Sequence, residues 1–172
     1  PGSAAAVFES NQVGANMGWN VADAGDVNGD GYADVIVGAS GYDKGESDEG
    51  AAFVFLGRPT WSVNGAPSNA AAVLESNEPG AHFGTSLSSA GDVNGDGFSD
   101  VIVGNAQNDR NNDGVLEGAA FVFHGSISGI SSGGLLSAAT ILESNQNDSL
   151  FGSDVTGGGD LNGDGFADVA VG

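Results

Sequence analysis

The chain has 172 residues, including 31 glycines and no cysteine, and its 23 Asp and Glu against 3 Lys and Arg give a formal net charge of −20. This charge argues against binding to nucleic acid or to anionic membrane surfaces, because both would repel the protein. The lack of cysteine excludes disulfides and thiolate metal sites, and no apolar run has the roughly 18 residues of a membrane-inserted helix.

The predicted secondary structure is a series of short strands separated by glycine-rich loops. Residues 1–3 are interpreted as the remnant of a cleaved expression tag. In chain order, strands are predicted over residues 5–9, 19–24, 34–38, 51–55, 71–75, 85–90, 100–104, 119–123, 140–143, 153–158 and 168–172. Several of these runs are continuous and apolar, which is typical of strands buried on both faces. No helix of ordinary length has a start signal, a period and a stop signal, so the predicted class is all-β.

An internal repeat organises these strands. The tripeptide Glu-Ser-Asn at 9–11 recurs 66 residues later and again after a further 68, and the acidic segment 25–35 recurs at the same offsets. A repeat of about 67 residues favours a four-stranded propeller blade over a solenoid, whose repeats are shorter. The predicted organisation is an outer strand of a preceding or closing blade at 4–10, blades at 11–76 and 77–144, and a partial blade of two strands at 145–172.

Each repeat contains an acidic loop of the form D-x-N-x-D-G-x-x-D. Positions one, three and five, which are Asp26, Asn28 and Asp30 in the first copy, can point oxygens inward, and Gly31 permits a sharp turn. Position seven can offer its carbonyl, so its side chain is expected to be free to vary, and Asp34 closes the site at position nine. Such an all-oxygen set suits Ca²⁺ better than Mg²⁺, which prefers a tighter octahedron and keeps its waters.

Two alternatives to a strand-flanked calcium loop exist. An EF-hand needs a Glu at position twelve and a following helix, whereas Val37 occupies that position inside a predicted strand. Asn-Gly and Asp-Gly turns with solvated acids would explain a single copy. Three copies with every ligand position intact favour the metal site.

Three signatures in the second repeat carry a family resemblance: Phe83-Gly84, the segment 91–104, and Gly-Ala-Ala-Phe-Val-Phe at 118–123. Together they resemble the FG-GAP repeat of the integrin α-subunit β-propeller, over essentially the whole chain after residue 3. The resemblance implies FG-GAP-type β-propeller blades, each a four-stranded antiparallel sheet, with calcium between the first and second strands. The chain departs from the family pattern at Met17-Gly18 and in the sequences at 38–40 and 104–106. These departures affect packing positions. The metal ligands implied by the resemblance are Asp26, Asn28, Asp30, Tyr32, Asp34, Asp92, Asn94, Asp96, Phe98, Asp100, Asp160, Asn162, Asp164, Phe166 and Asp168.

The number of predicted strands is too small to close a ring, since propellers have at least about four blades. We therefore expect an incomplete ring in one chain, either a fragment of a longer protein or one member of a homo-oligomer whose chains complete one another's blades. The third acidic loop lies next to the end of the sequence, with no third strand beside it. Its site is predicted to be the weakest or most mobile of the three.

The resemblance implies a calcium-binding recognition or adhesion module, extracellular or at the cell surface, with about three structural Ca²⁺ per chain. The partner would be a protein or glycan ligand, contacted by the loops 39–50 and 105–118, which differ between the repeats. We expect no enzymatic activity, because His82 and His124 are isolated and the clustered acids are committed to calcium.

Two alternative functions stay open at this point. One is a non-catalytic propeller domain of a secreted hydrolase, and the other is a lectin-like propeller that binds sugars through aromatic side chains. The aromatic residues considered for sugar stacking are Trp19, Trp61, Tyr32 and Tyr42.

Overall fold

The computed structural model describes residues 6–60, 64–107, 116–144 and 146–172. Within these ranges there is no α-helix, so no helix is long and apolar enough to cross a membrane, and the predicted all-β class is confirmed. Two 3₁₀ turns, Pro67–Asn69 and Leu135–Ser137, interrupt the loops. The strands are β1 (Met17–Gly25), β2 (Asp34–Ala39), β3 (Ala51–Phe55), β4 (Ala72–Glu75), β5 (Ser86–Gly91), β6 (Asp100–Asn105), β7 (Ala119–Phe123), β8 (Thr140–Glu143), β9 (Val155–Gly159) and β10 (Asp168–Val171).

The strands form three antiparallel sheets that follow the sequence repeat. The first sheet has the order β1-β2-β3-β4, the second has the order β5-β6-β7-β8, and β9 pairs with β10. The register repeats as well, since Ile36 pairs with Val54 in the first sheet and Ile102 pairs with Val122 in the second. These four-stranded antiparallel sheets match the predicted FG-GAP-type blades.

The central strands are apolar on both faces because both faces of their sheets are covered. All five residues of β3 and all five of β7 are buried, as the continuous apolar runs predict. The largest apolar cluster lies between the first and second sheets, where Phe83 packs edge-on against Phe121 at 5.9 Å between ring centroids. A further cluster lies between the second sheet and β9, around Ile102 and Val155.

The Phe-Gly dipeptides are contacts between sheets. Phe83 forms a parallel bridge with Gly50, the residue before β3, and Phe151 forms the same bridge with Gly118, the residue before β7. The glycine that follows each phenylalanine also approaches the neighbouring sheet: a Cβ added to Gly38 would overlap the carbonyl oxygen of Gly84. Glycine therefore allows the sheets to pack backbone against backbone.

The structure differs from the prediction in the segment where the sequence predicts a strand over residues 5–9. Residues 6–10 do not form a strand of any sheet, and Phe8 makes one parallel bridge with Gly65, as Leu74 does with Gly133. Leu74 belongs to a strand because β3 pairs with β4 on its other side. The segment around Phe8 is held by backbone hydrogen bonds between Val7, Glu9 and Gly65, and the Phe8 ring lies 4.8 Å from that of Phe55. Residues 1–5, with the tag interpretation, lie outside the described residues.

One buried amide offers a test of the packing between sheets. Asn105, at the end of β6, is fully buried, and neither its Nδ2 nor its Oδ1 has a hydrogen-bond partner in the described part of the chain. The corresponding position in the first sheet is Ala39. Asn105→Ala is expected to raise the free energy of unfolding by about 1 kcal/mol, because it removes a buried unsatisfied polar group. Chemical denaturation measures this, with Ala39→Asn as the reciprocal, destabilising control. A lower stability of Asn105→Ala would contradict the account.

Candidate metal centre

The predicted site residues lie in three loops that connect the first two strands of each sheet. These are the first loop (residues 26–34), the second loop (92–100) and the third loop (160–168). In the first loop, the backbone N–H of Asp30 donates to Asp26 Oδ1 and to Asn28 Oδ1, both at 3.1 Å. Two predicted ligand oxygens therefore meet at one N–H, and the side chains at positions one and three converge.

The side chain at position five joins the same group. Asn28 Nδ2 donates to Asp30 Oδ2 at 3.0 Å, and the N–H of Tyr32 donates to Asp30 Oδ1 at 2.9 Å. The same set of bonds recurs in the second and third loops, with the corresponding amide donors Asn94 and Asn162 at 2.9 and 3.0 Å. The structure thus brings positions one, three and five together in all three loops.

The backbone of each loop depends on glycine at position six. Gly31 has φ +89°, and Gly97 and Gly165 have φ +90° and +93°. Residues with a Cβ rarely adopt this left-handed region, so glycine makes the tight curl possible. The N–H of each of these glycines donates to the position-one aspartate, for example Gly31 to Asp26 Oδ2 at 2.8 Å.

The position-nine aspartate lies beneath the loop and is held by backbone N–H groups. Asp34 is buried and accepts from Val27 at 2.8 Å and from Gly57 at 2.7 Å. Asp100 is anchored in the same way by two donors, at 2.9 Å each. Asp168 accepts from Leu161 at 2.8 Å and has no second donor in the described part of the chain. Asp34 and Asp100 thus each accept two backbone N–H groups in the described part of the chain, and Asp168 accepts one.

Burial and hydrogen bonding shift the pKa values of these carboxyl groups in opposite directions. Burial raises the pKa of Asp34 and of Asp100, and the neighbouring charges of Asp30 and Asp26 raise that of Asp34 further. The backbone N–H of Phe98 and the amide of Asn94 lower the pKa of Asp96. Like charges thus repel one another within a loop, and a bound cation would relieve that repulsion.

The residue types fit calcium, but the described geometry is a hydrogen-bonded loop and not a formed cage. Among the described residues, no group of three or more acids or histidines is arranged to hold a metal ion. The carboxylate oxygens accept backbone N–H groups, yet each carboxylate has about four acceptor positions, so capacity remains for a cation. Positions one, three and five are brought together, whereas the position-seven carbonyls and the complete ligand set stay predictions.

The expectation that the side chain at position seven is free to vary is wrong for the second and third loops. In the second and third loops, the rings of Phe98 and Phe166 lie against glycines of the preceding loops, so these side chains are not free to vary. Glu49, which the sequence pattern did not single out, is a buried carboxylate that accepts N–H groups from Lys44 at 2.6 Å and Gly45 at 2.8 Å. The repeated Glu-Gly-Ala-Ala-Phe segments at 49–53 and 117–121 were the available signal.

The matches to known proteins cover the same repeats. The family model described as the FG-GAP repeat matches residues 18–55 and 83–122. Integrin alpha-PS5 of Drosophila melanogaster is 35% identical over 169 residues, which is 96% of this chain and 16% of that protein. Integrin alpha-PS3 of the same species is 36% identical over 170 residues, 96% of this chain and 14% of that protein. Integrin alpha-5 of Xenopus laevis is 30% identical over 174 residues, 96% of this chain and 15% of that protein. The chain therefore spans about one-sixth of the length of these relatives.

Proposed function

Because the chain is an FG-GAP repeat protein similar to integrin α subunits, we propose that it is a calcium-binding recognition or adhesion module that works outside the cell. The observation that carries the proposal is the same hydrogen-bonded arrangement of acids and amides in three successive loops. Calcium is structural in this proposal: it stiffens the connection between the first two strands of each sheet. Catalysis has no part in it.

The ligands would be the side chains at positions one, three, five and nine and the carbonyl at position seven of each loop. Bound calcium would supply positive charge where three carboxylates are otherwise close to one another. In the first loop, for example, Asp26 and Asp30 both act electrostatically on Asp34. A site of this kind fits extracellular conditions, because millimolar calcium fills weak sites that stay empty at cytosolic concentrations.

The proposed recognition surface is the loop between β2 and β3, where the repeats differ in length. Glu49 anchors this loop from beneath through the N–H groups of Lys44, Gly45 and Glu46, and Lys44 forms an ion pair with Glu75 at 2.9 Å. A cleft of about 380 Å³ beside the loop is lined in part by Tyr42 and Lys44. Its mixture of aromatic, cationic and hydroxyl groups suits a protein or glycan ligand. The corresponding loop of the second repeat lies largely outside the described residues.

The sugar-binding alternative has narrower support. Trp19 is 73% exposed on β1 and Tyr32 is 42% exposed, so both rings are accessible for stacking. Tyr42 instead packs edge-on against Phe53, with 5.2 Å between ring centroids, and Trp61 lies outside the described residues. The two accessible aromatic residues lie on a strand and on a loop, which favours protein recognition over a single stacking platform.

Calorimetric titration of the chain with CaCl₂ tests the proposal. We expect three sites per chain, with the third loop the weakest because Asp168 has one backbone donor where Asp34 and Asp100 have two. Asp96→Ala is expected to remove one site, because it deletes the position-five carboxylate of the second loop.

Glu46→Gln is the matched control for that titration, because Glu46 is exposed and lies outside the three loops. It removes one negative charge and should leave the number of sites unchanged. An absence of heat at millimolar calcium, or an equal loss of binding in Glu46→Gln and Asp96→Ala, would contradict the proposal.

A further inference from the structure

Neighbouring acidic loops touch one another through the aromatic residue at position seven. A Cβ added to Gly29 of the first loop would lie 2.7 Å from Phe98 Cε1 of the second loop. In the same way, a Cβ added to Gly95 of the second loop would lie 2.6 Å from Phe166 Cε1 of the third. Each ring therefore lies directly on the curl of the preceding loop, at a glycine whose positive φ belongs to that curl.

Backbone hydrogen bonds join the same pairs of loops. The N–H of Ser99 donates to the carbonyl of Asp26 at 3.0 Å, and the N–H of Asp26 donates to Ser99 Oγ at 3.2 Å. Between the second and third loops, the N–H of Ala167 donates to the carbonyl of Asp92 at 2.9 Å. The residue after position seven is thus tied to position one of the preceding loop, which is itself a proposed ligand.

A second connection links the first two loops from below. Gly125 donates its N–H to Asp100 Oδ1 at 2.9 Å, and the adjacent Ser126 donates its N–H to the carbonyl of Val27 at 3.0 Å. Position nine of the second loop and position two of the first loop are therefore held by the same short segment. Ordering of one loop restricts the other.

We infer that adjacent loops bind their cations cooperatively, and that Phe98 and Phe166 are the positioning residues that couple each loop to the one before it. This inference rests on the proposed calcium-binding function. The physical basis is that a cation which fixes the second loop also fixes the Phe98 ring against the first loop, so the first loop has less conformational freedom left to lose on binding. Coupling between the first and second loops is stronger than coupling between the second and third loops, because Ser99 adds a hydroxyl contact that Ala167 lacks.

Terbium is the probe, because Tyr32 is the position-seven residue of the first loop whereas the other two loops have phenylalanine there. Trp19, Trp61 and Tyr42 also absorb in this range, so the part of the luminescence that is lost in Tyr32→Phe reports occupancy of the first loop. Titrations compare the wild-type chain with Asp96→Ala, Phe98→Ala and the double variant. Both single variants are expected to weaken terbium binding at the first loop by about fivefold or more, since allosteric couplings commonly have that size.

The double variant separates coupling from a merely structural role of the ring. If Phe98 transmits the effect of the second loop, Phe98→Ala adds nothing once Asp96→Ala has disabled that loop. The inference would be overturned if the losses of first-loop affinity multiply in the double variant. It would also be overturned if the single variants leave first-loop affinity unchanged.

Leu136→Ala is the control, because Leu136 is a large apolar side chain that is 89% exposed and lies outside the three loops. It should leave first-loop affinity nearly unchanged, and a loss equal to that of Phe98→Ala would overturn the pairwise coupling. A wild-type chain that binds neither terbium nor calcium would remove the proposed function itself, which is a different result from binding without coupling.

Discussion

Gly104→Val is expected to lower the free energy of unfolding by about 3 kcal/mol, at the upper end of the cost of overpacking a well-packed core. A Cβ at this position would overlap the carbonyl oxygen of Gly152 and the hydroxyl of Ser86. These two groups are themselves joined by a hydrogen bond of 2.7 Å between β5 and the segment that precedes β9. Relief of the overlap requires the sheets to separate, because backbone atoms lie on one side of the contact.

Urea denaturation of Gly104→Val against the wild-type chain measures this cost. Gly45→Ala is the control, because Gly45 lies in an exposed loop and a Cβ there would meet no atom within 4 Å. Its stability should stay within about 0.5 kcal/mol of the wild-type value, as for most surface substitutions. Equal stabilities for Gly104→Val and the wild-type chain would show that the sheets are not packed backbone against backbone.

The strands were predictable from sequence wherever the pattern is local. The apolar run at 51–55 became β3 with the same bounds, because continuous Phe and Val between glycines is specific for a strand buried on both faces. The first strand of the first sheet was predicted at 19–24 and extends over Met17–Gly25. Its small and polar residues carry no period that would mark its ends.

The convergence of side chains in the candidate site was predictable, but the contacts of the site with distant segments were not. The spacing of Asp26, Asn28 and Asp30 indicated that their side chains converge, and they do. The partner of Asp34, in contrast, is Gly57, which lies 23 residues away on the other side of two strands. Such contacts depend on how the sheet brings distant segments together, and the local sequence does not encode them.

The contact between Phe98 and Gly29 illustrates the same limit at a longer range. An aromatic residue at position seven is present in all three loops, so the pattern was visible in the sequence. The aromatic residue at position seven has a packing role because successive sheets stack and place one loop beside the next. The sequence period identifies the repeated unit, whereas the contacts between neighbouring units are seen only in the structure.

Removal of calcium is expected to produce the second large effect. A ligand that binds only the folded state stabilises it by about 2.7 kcal/mol per site when its free concentration is roughly 100 times the dissociation constant. For a chain of this length, each kcal/mol moves the thermal midpoint by roughly 2–4 °C. One filled loop should therefore raise the midpoint by about 5–10 °C, and three filled loops by more.

Thermal unfolding in millimolar calcium and in excess chelator, followed by circular dichroism, tests calcium stabilisation most directly. Magnesium at the same ionic strength controls for screening of the −20 charge. The account predicts a midpoint that is higher in calcium than in either chelator or magnesium, with a smaller difference for Asp96→Ala. An identical midpoint in calcium and chelator would contradict a structural role for calcium in these loops.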